Sequence, residues 1–281
     1  MAFDYNRYLR KDKMPHIWCP GCGNGIVMKS LIRAIDSLGY KKEDTVIVSG
    51  IGCSGRISGY LDFNTLHTTH GRPLTFATGI KLANPALNVI VVSGDGDCAA
   101  IGGNHFIHAC RRNIDMKYII FNNYIYGMTG GQHSPTTPYG SYSTTTPYGN
   151  IDPQFDLSKL AIGAGATFVA RETTYNIFSL DKIIIEAFKH KGFSVVEVMV
   201  GCPVYYGRKN TFKSAFSLLD WQRRHAVRVD RAQKMGAEEL EGRFITGVLH
   251  RREAPEYTQL YHALTESFEK SVDRVNMERE Y

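Results

Sequence analysis

Along the middle of the chain, short runs of consecutive apolar, mostly β-branched residues alternate with helix-like stretches. The runs fall at 45–48, 88–92, 117–121, 166–170 and 194–200, and each ends in glycine, asparagine or charged residues. Strands that are apolar at every position, and not only at every second one, are buried on both faces. The stretches between them predict helices over 25–38, 77–83, 99–112, 158–164 and 176–190. The expected fold class is therefore α/β, a mainly parallel sheet with helices on both faces.

Two segments break the alternation. Residues 127–150 form a long polar loop rich in Gly, Pro, Ser and Thr, and loops of that length inside a compact domain are usually functional or mobile. From about Val204 onward no strand signal is present, and the expectation is a charged, mostly helical C-terminal extension. The chain divides on this reading into a binding domain, 1–203, and an extension, 204–281. No internal repeat is visible.

Composition narrows the class. With 281 residues, 43% apolar and 21% charged, the chain can bury a full core and reads as folded along most of its length. The opening Met1-Ala2-Phe3-Asp4-Tyr5-Asn6-Arg7 has neither the apolar stretch nor the cleavage site of a secretory signal, and the longest apolar runs are too short to span a bilayer. A cytoplasmic location without membrane contact is expected. In that compartment six cysteines argue for metal ligation or buried thiols before disulfides.

The net charge of +6 sits in one place. Arg208, Lys209, Lys213, Arg223, Arg224, Arg228, Arg231 and Lys234 stand against Asp220 and Asp230. Such a stretch is a solvated or subunit-facing helix, or a docking face for an acidic protein. No nucleic-acid-binding motif accompanies it, so no nucleic acid is expected.

Four of the cysteines occupy turns built from glycine or proline: Trp18-Cys19-Pro20-Gly21-Cys22-Gly23, Gly52-Cys53-Ser54-Gly55 and Gly201-Cys202-Pro203. Four thiolates on such turns suit either zinc or a 4Fe–4S cluster, and spacing alone leaves both open. Structural zinc sites usually supply two CxxC knuckles, whereas Cys53 and Cys202 stand singly. The remaining pair, Cys98 and Cys110, falls in one predicted helix among apolar neighbours and is expected to be buried and structural.

A second constellation follows the strongest buried-strand signal. Gly94-Asp95-Gly96-Asp97 lies at the carboxyl end of a predicted parallel strand, where open α/β sheets bind their ligands. The glycines allow a phosphate to approach the backbone, and Asp95 offers a hard oxygen to Mg²⁺. Asn123 lies 28 positions later, at the end of the next strand, where one crossover brings it beside Asp95. The Ile125 carbonyl is available as a third oxygen. Together they fit a magnesium-bound diphosphate.

With these residues in order, the chain resembles the thiamine-diphosphate-binding β subunits of the 2-oxoacid:ferredoxin oxidoreductases. Cys19-Pro20-Gly21-Cys22, Gly52-Cys53-Ser54, His70-Gly71-Arg72, Gly94-Asp95-Gly96-Asp97, Asn123, Tyr126-Gly127-Met128-Thr129-Gly130-Gly131-Gln132 and Gly201-Cys202-Pro203 carry the resemblance, over roughly the first three quarters of the chain. It implies that Asp95, Asn123 and the Ile125 carbonyl bind magnesium. Gly94, Asp97 and Thr129 would lie along the diphosphate, His70 near the phosphates, and Ser54, Gly96, Gly127 and Met128 around the cofactor. The resemblance also places one 4Fe–4S cluster on Cys19, Cys22, Cys53 and Cys202.

The implied reaction is oxidative decarboxylation of a 2-oxo acid to an acyl-CoA and CO₂ with reduction of ferredoxin, or the reverse carboxylation. Coenzyme A, ferredoxin and an α subunit are the implied partners, in an αβ heterodimer or its dimer. No glutamate here lies in a motif for activating thiamine, so the α subunit is expected to donate that residue. Arg56, just after Cys53-Ser54-Gly55, would reach toward the acyl pocket, where a guanidinium suits the second carboxylate of 2-oxoglutarate. The string from Gly59 to Pro73 also resembles the 2-oxoglutarate members most. Pyruvate or another 2-oxo acid is the alternative substrate, and a non-catalytic, metal-bearing relay or scaffold subunit the alternative function.

Overall fold

The apolar runs become the interior of one eight-stranded sheet, and every residue from 117 to 122, 168 to 173 and 194 to 199 is buried. The computed structural model describes residues 3–279, with side chains described through 269. In chain order the elements begin α1 (Asn24–Ser37), β1 (Thr45–Ser49), α2 (Ile57–Tyr60), β2 (Asn64–His67), α3 (Pro73–Ala83), β3 (Asn88–Gly94), α4 (Asp95–Ala99), α5 (Gly103–Arg112) and β4 (Lys117–Asn122). A small hairpin, β5 (Ile125–Tyr126) and β6 (Gln132–His133), precedes α6 (Leu157–Gly163), β7 (Phe168–Thr173), α7 (Ile177–Lys189) and β8 (Ser194–Met199). The rest comprises α8 (Ala215–His225), β9 (Ala226–Arg228), α9 (Val229–Ala232), α10 (Ala237–Leu240), β10 (Phe244–Arg251) and α11 (Tyr257–Arg279).

The strand order is β2-β1-β3-β4-β8-β7-β10-β9. All pairings from β2 to β7 are parallel, β10 runs antiparallel to β7, and β9 runs parallel to β10. Because successive strand residues face opposite sides, each parallel strand feeds two cores. Ile47, Ile90, Val92, Ile119, Phe121, Val196 and Val198 pack with α1 and α7 on one face. Val48, Val89, Val91, Tyr118, Ile120 and Val195 pack with α3, α5 and α6 on the other. Burial on this scale contributes about 1.5–3 kcal/mol for each large aliphatic side chain.

The C-terminal segment departs from the expected strandless extension. β10 joins the sheet beside β7, with a register shift between Val248 and His250, and carries β9 on its other side. Leu218 of α8, Tyr206 and Cys202 form a third, smaller core with Tyr124, Ile125 and Met199, against which Phe212, Trp221 and Phe244 pack. The helical character of the segment holds for α8 to α11.

The helix expected over 99–112 is also two helices. α4 starts at Asp95, directly off β3, and Gly102 separates it from α5 by packing under the carbonyl of Asp97, so close that a Cβ there would lie 2.3 Å from that oxygen. Cys98 therefore belongs to α4 and Cys110 to α5. Both are buried as expected, and burial pushes both thiols well up. Among the described residues no helix is long and apolar enough to cross a membrane.

Candidate functional site

Parallel pairing puts the carboxyl ends of β1, β3, β4 and β8, which are consecutive neighbours, on one edge of the sheet. Cys53 and Ser54 follow β1, Asp95 follows β3, Asn123 follows β4 and Cys202 follows β8. Gly94 pairs with Phe121 and Asn122 with Met199, so these groups leave the sheet at nearly one level. One pocket opens there. It is lined by Cys53, Ser54, His70, Gly94, Asp95, Gly96, Asp97, Asn123, Ile125, Gly127, Met128 and Thr129, every cofactor-site residue expected from the sequence.

Asp95 is 2% exposed, and burial pushes its carboxyl up to about 6. Hydroxyls of Ser134 and Thr136 act in the opposite sense, donating to Oδ2 at 2.5 and 2.6 Å. Both hydroxyls take the same oxygen, and the backbone of Asp95 and Asn123 also favours the charged carboxylate. Asn123 Oδ1 accepts the Ile125 amide at 3.1 Å and keeps a second lone pair. A carboxylate, an amide oxygen and a nearby carbonyl form the all-oxygen donor set that suits Mg²⁺ bound together with a phosphate. Ser134 and Thr136 were not legible as site residues beforehand. They come from the long polar loop, where nothing distinguishes them from their Ser and Thr neighbours until the fold brings them to Asp95.

Asp97 lines the pocket but commits its carboxylate to protein partners. Oδ1 accepts the Gly71 amide at 2.7 Å and the Ile51 amide at 3.3 Å, and His70 Nδ1 lies 2.5 Å away. Ser93 donates to Oδ2 at 2.8 Å. Gly50 exists because of this approach: a Cβ there would stand 1.7 Å from Asp97 Oδ2. Asp97 therefore ties the loops after β1 and β2 together. With Nδ1 held and its ring edge-on to Tyr126 at 5.8 Å, His70 has Nε2 open to a ligand.

The cysteine turns are stitched to the same edge. The Cys22 carbonyl accepts the Gly201 amide at 2.8 Å, and the Trp18 indole donates to the Cys53 carbonyl at 2.6 Å. Gly23, with φ 89°, starts α1 where a Cβ would lie 2.9 Å from Thr174 Oγ1. Burial first, and then the neighbouring Cys202, Cys22 and Cys19, push the Cys53 thiol up to about 12. Cys22 rises to about 11, again chiefly by burial, with Cys19 and Cys202 adding to it. Cys19 is the exposed member of the set. A Cβ on Gly127 would project to 3.4 Å from Cys202 Sγ and 3.6 Å from Cys53 Sγ, so the backbone leaves space between those two sulfurs.

Two further polar atoms face this edge without a hydrogen-bond partner among the described residues: Asn24 Oδ1 and Ser54 Oγ, each on a side chain 3% exposed. Orphaned buried polar atoms are rare, and both residues line the pocket, so the site fits a polar ligand. Asn24 escaped notice in the sequence because it begins a helix, where asparagine reads as a terminus signal. Arg56 does not line the pocket. It closes a 3₁₀ turn, Ser54–Arg56, with Ser54 and Gly55 buried and its own side chain exposed.

Similarity to known proteins agrees with this geometry. Residues 50–198 match the family described as thiamine pyrophosphate enzyme, C-terminal TPP binding domain. The 2-oxoglutarate synthase subunit KorB of Methanocaldococcus jannaschii is 51% identical over 260 residues, 92% of this chain and 96% of that protein. The protein of the same description from Archaeoglobus fulgidus is 56% identical over 233 residues, 83% of this chain and 87% of that one. A solved structure of 2-oxoglutarate:ferredoxin oxidoreductase from Magnetococcus marinus, with 2-oxoglutarate, coenzyme A and succinyl-CoA bound, superposes with TM-score 0.84 at 32% identity, covering 95% of this chain and 91% of that one.

Proposed function

The chain belongs to the thiamine-diphosphate-binding β subunits of the 2-oxoacid:ferredoxin oxidoreductases, and on that premise we propose how its residues share out the reaction. It is one subunit of an oxidoreductase that works with further subunits, and 2-oxoglutarate is the substrate best supported by its relatives. Asp95, Asn123 and the Ile125 carbonyl hold Mg²⁺ on the diphosphate. Gly94 and Gly96 admit the phosphates to the backbone, Thr129 and Met128 flank them, and His70 presents Nε2. Cys19, Cys22, Cys53 and Cys202 hold one 4Fe–4S cluster.

When bound, thiamine diphosphate supplies the nucleophilic carbon and electron sink for decarboxylating a 2-oxo acid, and the cluster a one-electron acceptor. The chain's own work is to seat these groups side by side. The observation that carries the reading is the shared edge: Ser54 and Cys53 line the same pocket as Asp95 and Asn123. For the metal on the cysteines, Cys53 and Cys202 stand singly, where structural zinc sites usually supply a second CxxC knuckle. A 4Fe–4S cluster suits four thiols carried on such glycine and proline turns.

Oxidation of 2-oxoglutarate then yields the acyl-CoA and CO₂, with electrons leaving to ferredoxin. The test is co-expression with the α subunit, anaerobic purification, and assay of ferredoxin reduction with a panel of 2-oxo acids. The expected result is about four irons per chain, extractable thiamine diphosphate, and CoA-dependent activity highest with 2-oxoglutarate. Higher kcat/KM with pyruvate would reassign the substrate. A colourless, zinc-bearing protein without thiamine would reject the reading.

A further inference from the structure

Beyond the pocket wall, a buried run of polar side chains leads from the loop before α6 to the strand end that carries Asn123. Asp156 pairs with Arg171 of β7. Arg171 Nε donates to Glu197 Oε2 of β8 at 2.8 Å, and the Ser158 hydroxyl donates to the same oxygen at 2.7 Å. The other oxygen, Oε1, accepts from Asn122 Nδ2 at 2.8 Å. This bond sets which end of the Asn122 amide faces which neighbour. Its oxygen accepts the Tyr124 amide at 3.1 Å and lies 3.1 Å from Thr136 Oγ1, the hydroxyl that also reaches Asp95.

Tyr124 has φ 65°, a left-handed backbone that a bulky residue keeps only where its surroundings impose it. It stands between Asn123 and Ile125, the two residues that offer metal oxygens after β4. Asn122 holds that turn, and Glu197 holds Asn122. Arg171 and Glu197 face each other in register on adjacent strands, 7% and 2% exposed, where an ion pair is costly to bury and an apolar pair would pack as well.

We infer that Glu197 and Arg171 are positioning residues for the metal-bound diphosphate, acting through Asn122 on the 122–125 turn. The inference rests on the magnesium site proposed above. Its distinguishing readout is cofactor affinity, because a merely structural role would lower the melting temperature and leave affinity alone.

The test uses the αβ complex stripped of cofactor and titrated calorimetrically with thiamine diphosphate and Mg²⁺. Glu197→Gln is expected to raise the Kd about tenfold or more, the range found when groups that orient metal ligands are removed. Where the remaining charge on Arg171 prevents folding, the double variant Arg171→Met, Glu197→Met, which removes both charges together, decides and carries the same expectation. A Kd within about twofold of the parent in a folded variant overturns the inference. Asp95→Asn separates the two levels. If it too leaves affinity unchanged, the magnesium site fails; if it alone weakens binding, only the positioning role is lost.

Discussion

The Thr136 hydroxyl donates to Asp95 Oδ2 at 2.6 Å, across 41 residues of chain. With Ser134 on the same oxygen, it orients the carboxylate. Thr136→Val keeps the shape and removes the donor. A hydrogen bond to a buried charge contributes about 1.5–3 kcal/mol. The variant is therefore expected to unfold at lower denaturant and to bind Mg²⁺ with thiamine diphosphate on the order of tenfold more weakly. Unchanged affinity in a magnesium titration would show that Ser134 suffices.

Burial holds the Asp95 carboxyl up at about 6, above the value near 3.8 of an exposed aspartate. Folding disfavours the charged form of this buried group. The protonated form is favoured in the fold, so this group's contribution to stability is full below pH 4 or so and is lost as pH rises through about 6. A bound cation reverses that loss by displacing the proton. Magnesium affinity of the cofactor-free complex is thus expected to fall about tenfold per pH unit below 6 and to level off above it. A pH-independent affinity between 5 and 7 would place the cation on other oxygens.

The five apolar runs all became strands because burial on both faces leaves an unbroken signature. β10 carried no such signature. It is half-buried, its middle is Gly247 at φ 109°, and basic residues close it. β2, Asn64–His67, is polar at both ends because it lies at the edge of the sheet. Cys53, Asp95, Asn123 and Cys202 could be placed on one edge because each follows a parallel strand. Glu197, Arg171 and Thr136 were not, because their meaning lies in pairings between strands and loops that no local string records.

Gly127 provides a test of the cluster separate from catalysis. Its backbone needs no left-handed conformation, so Gly127→Ala is free of backbone strain. The added methyl would enter the gap between Cys53 and Cys202, 3.6 and 3.4 Å from their sulfurs. Iron content of the anaerobically purified variant is expected to fall by about half or more, with secondary structure by circular dichroism unchanged. Full iron loading would mean that no inorganic core occupies that gap.

Arg56 offers the sharpest test of substrate. The turn that carries it is fixed: a Cβ on Gly55 would lie 2.1 Å from the Gly50 carbonyl, and Ser54 and Gly55 are buried beneath it. Its side chain is exposed, and among the described residues it forms no ion pair. Two roles suit such a group, a clamp on the distal carboxylate of 2-oxoglutarate or a salt bridge to the α subunit. They separate by substrate. A clamp acts only on a substrate with two carboxylates, and losing one charge-assisted pair shifts discrimination by several kcal/mol. Arg56→Ala is then expected to raise KM for 2-oxoglutarate on the order of tenfold or more while leaving KM for pyruvate within about twofold. A subunit salt bridge would weaken both alike. Steady-state kinetics of the assembled enzyme with each acid distinguishes them, and equal rises in both KM values would reject the clamp.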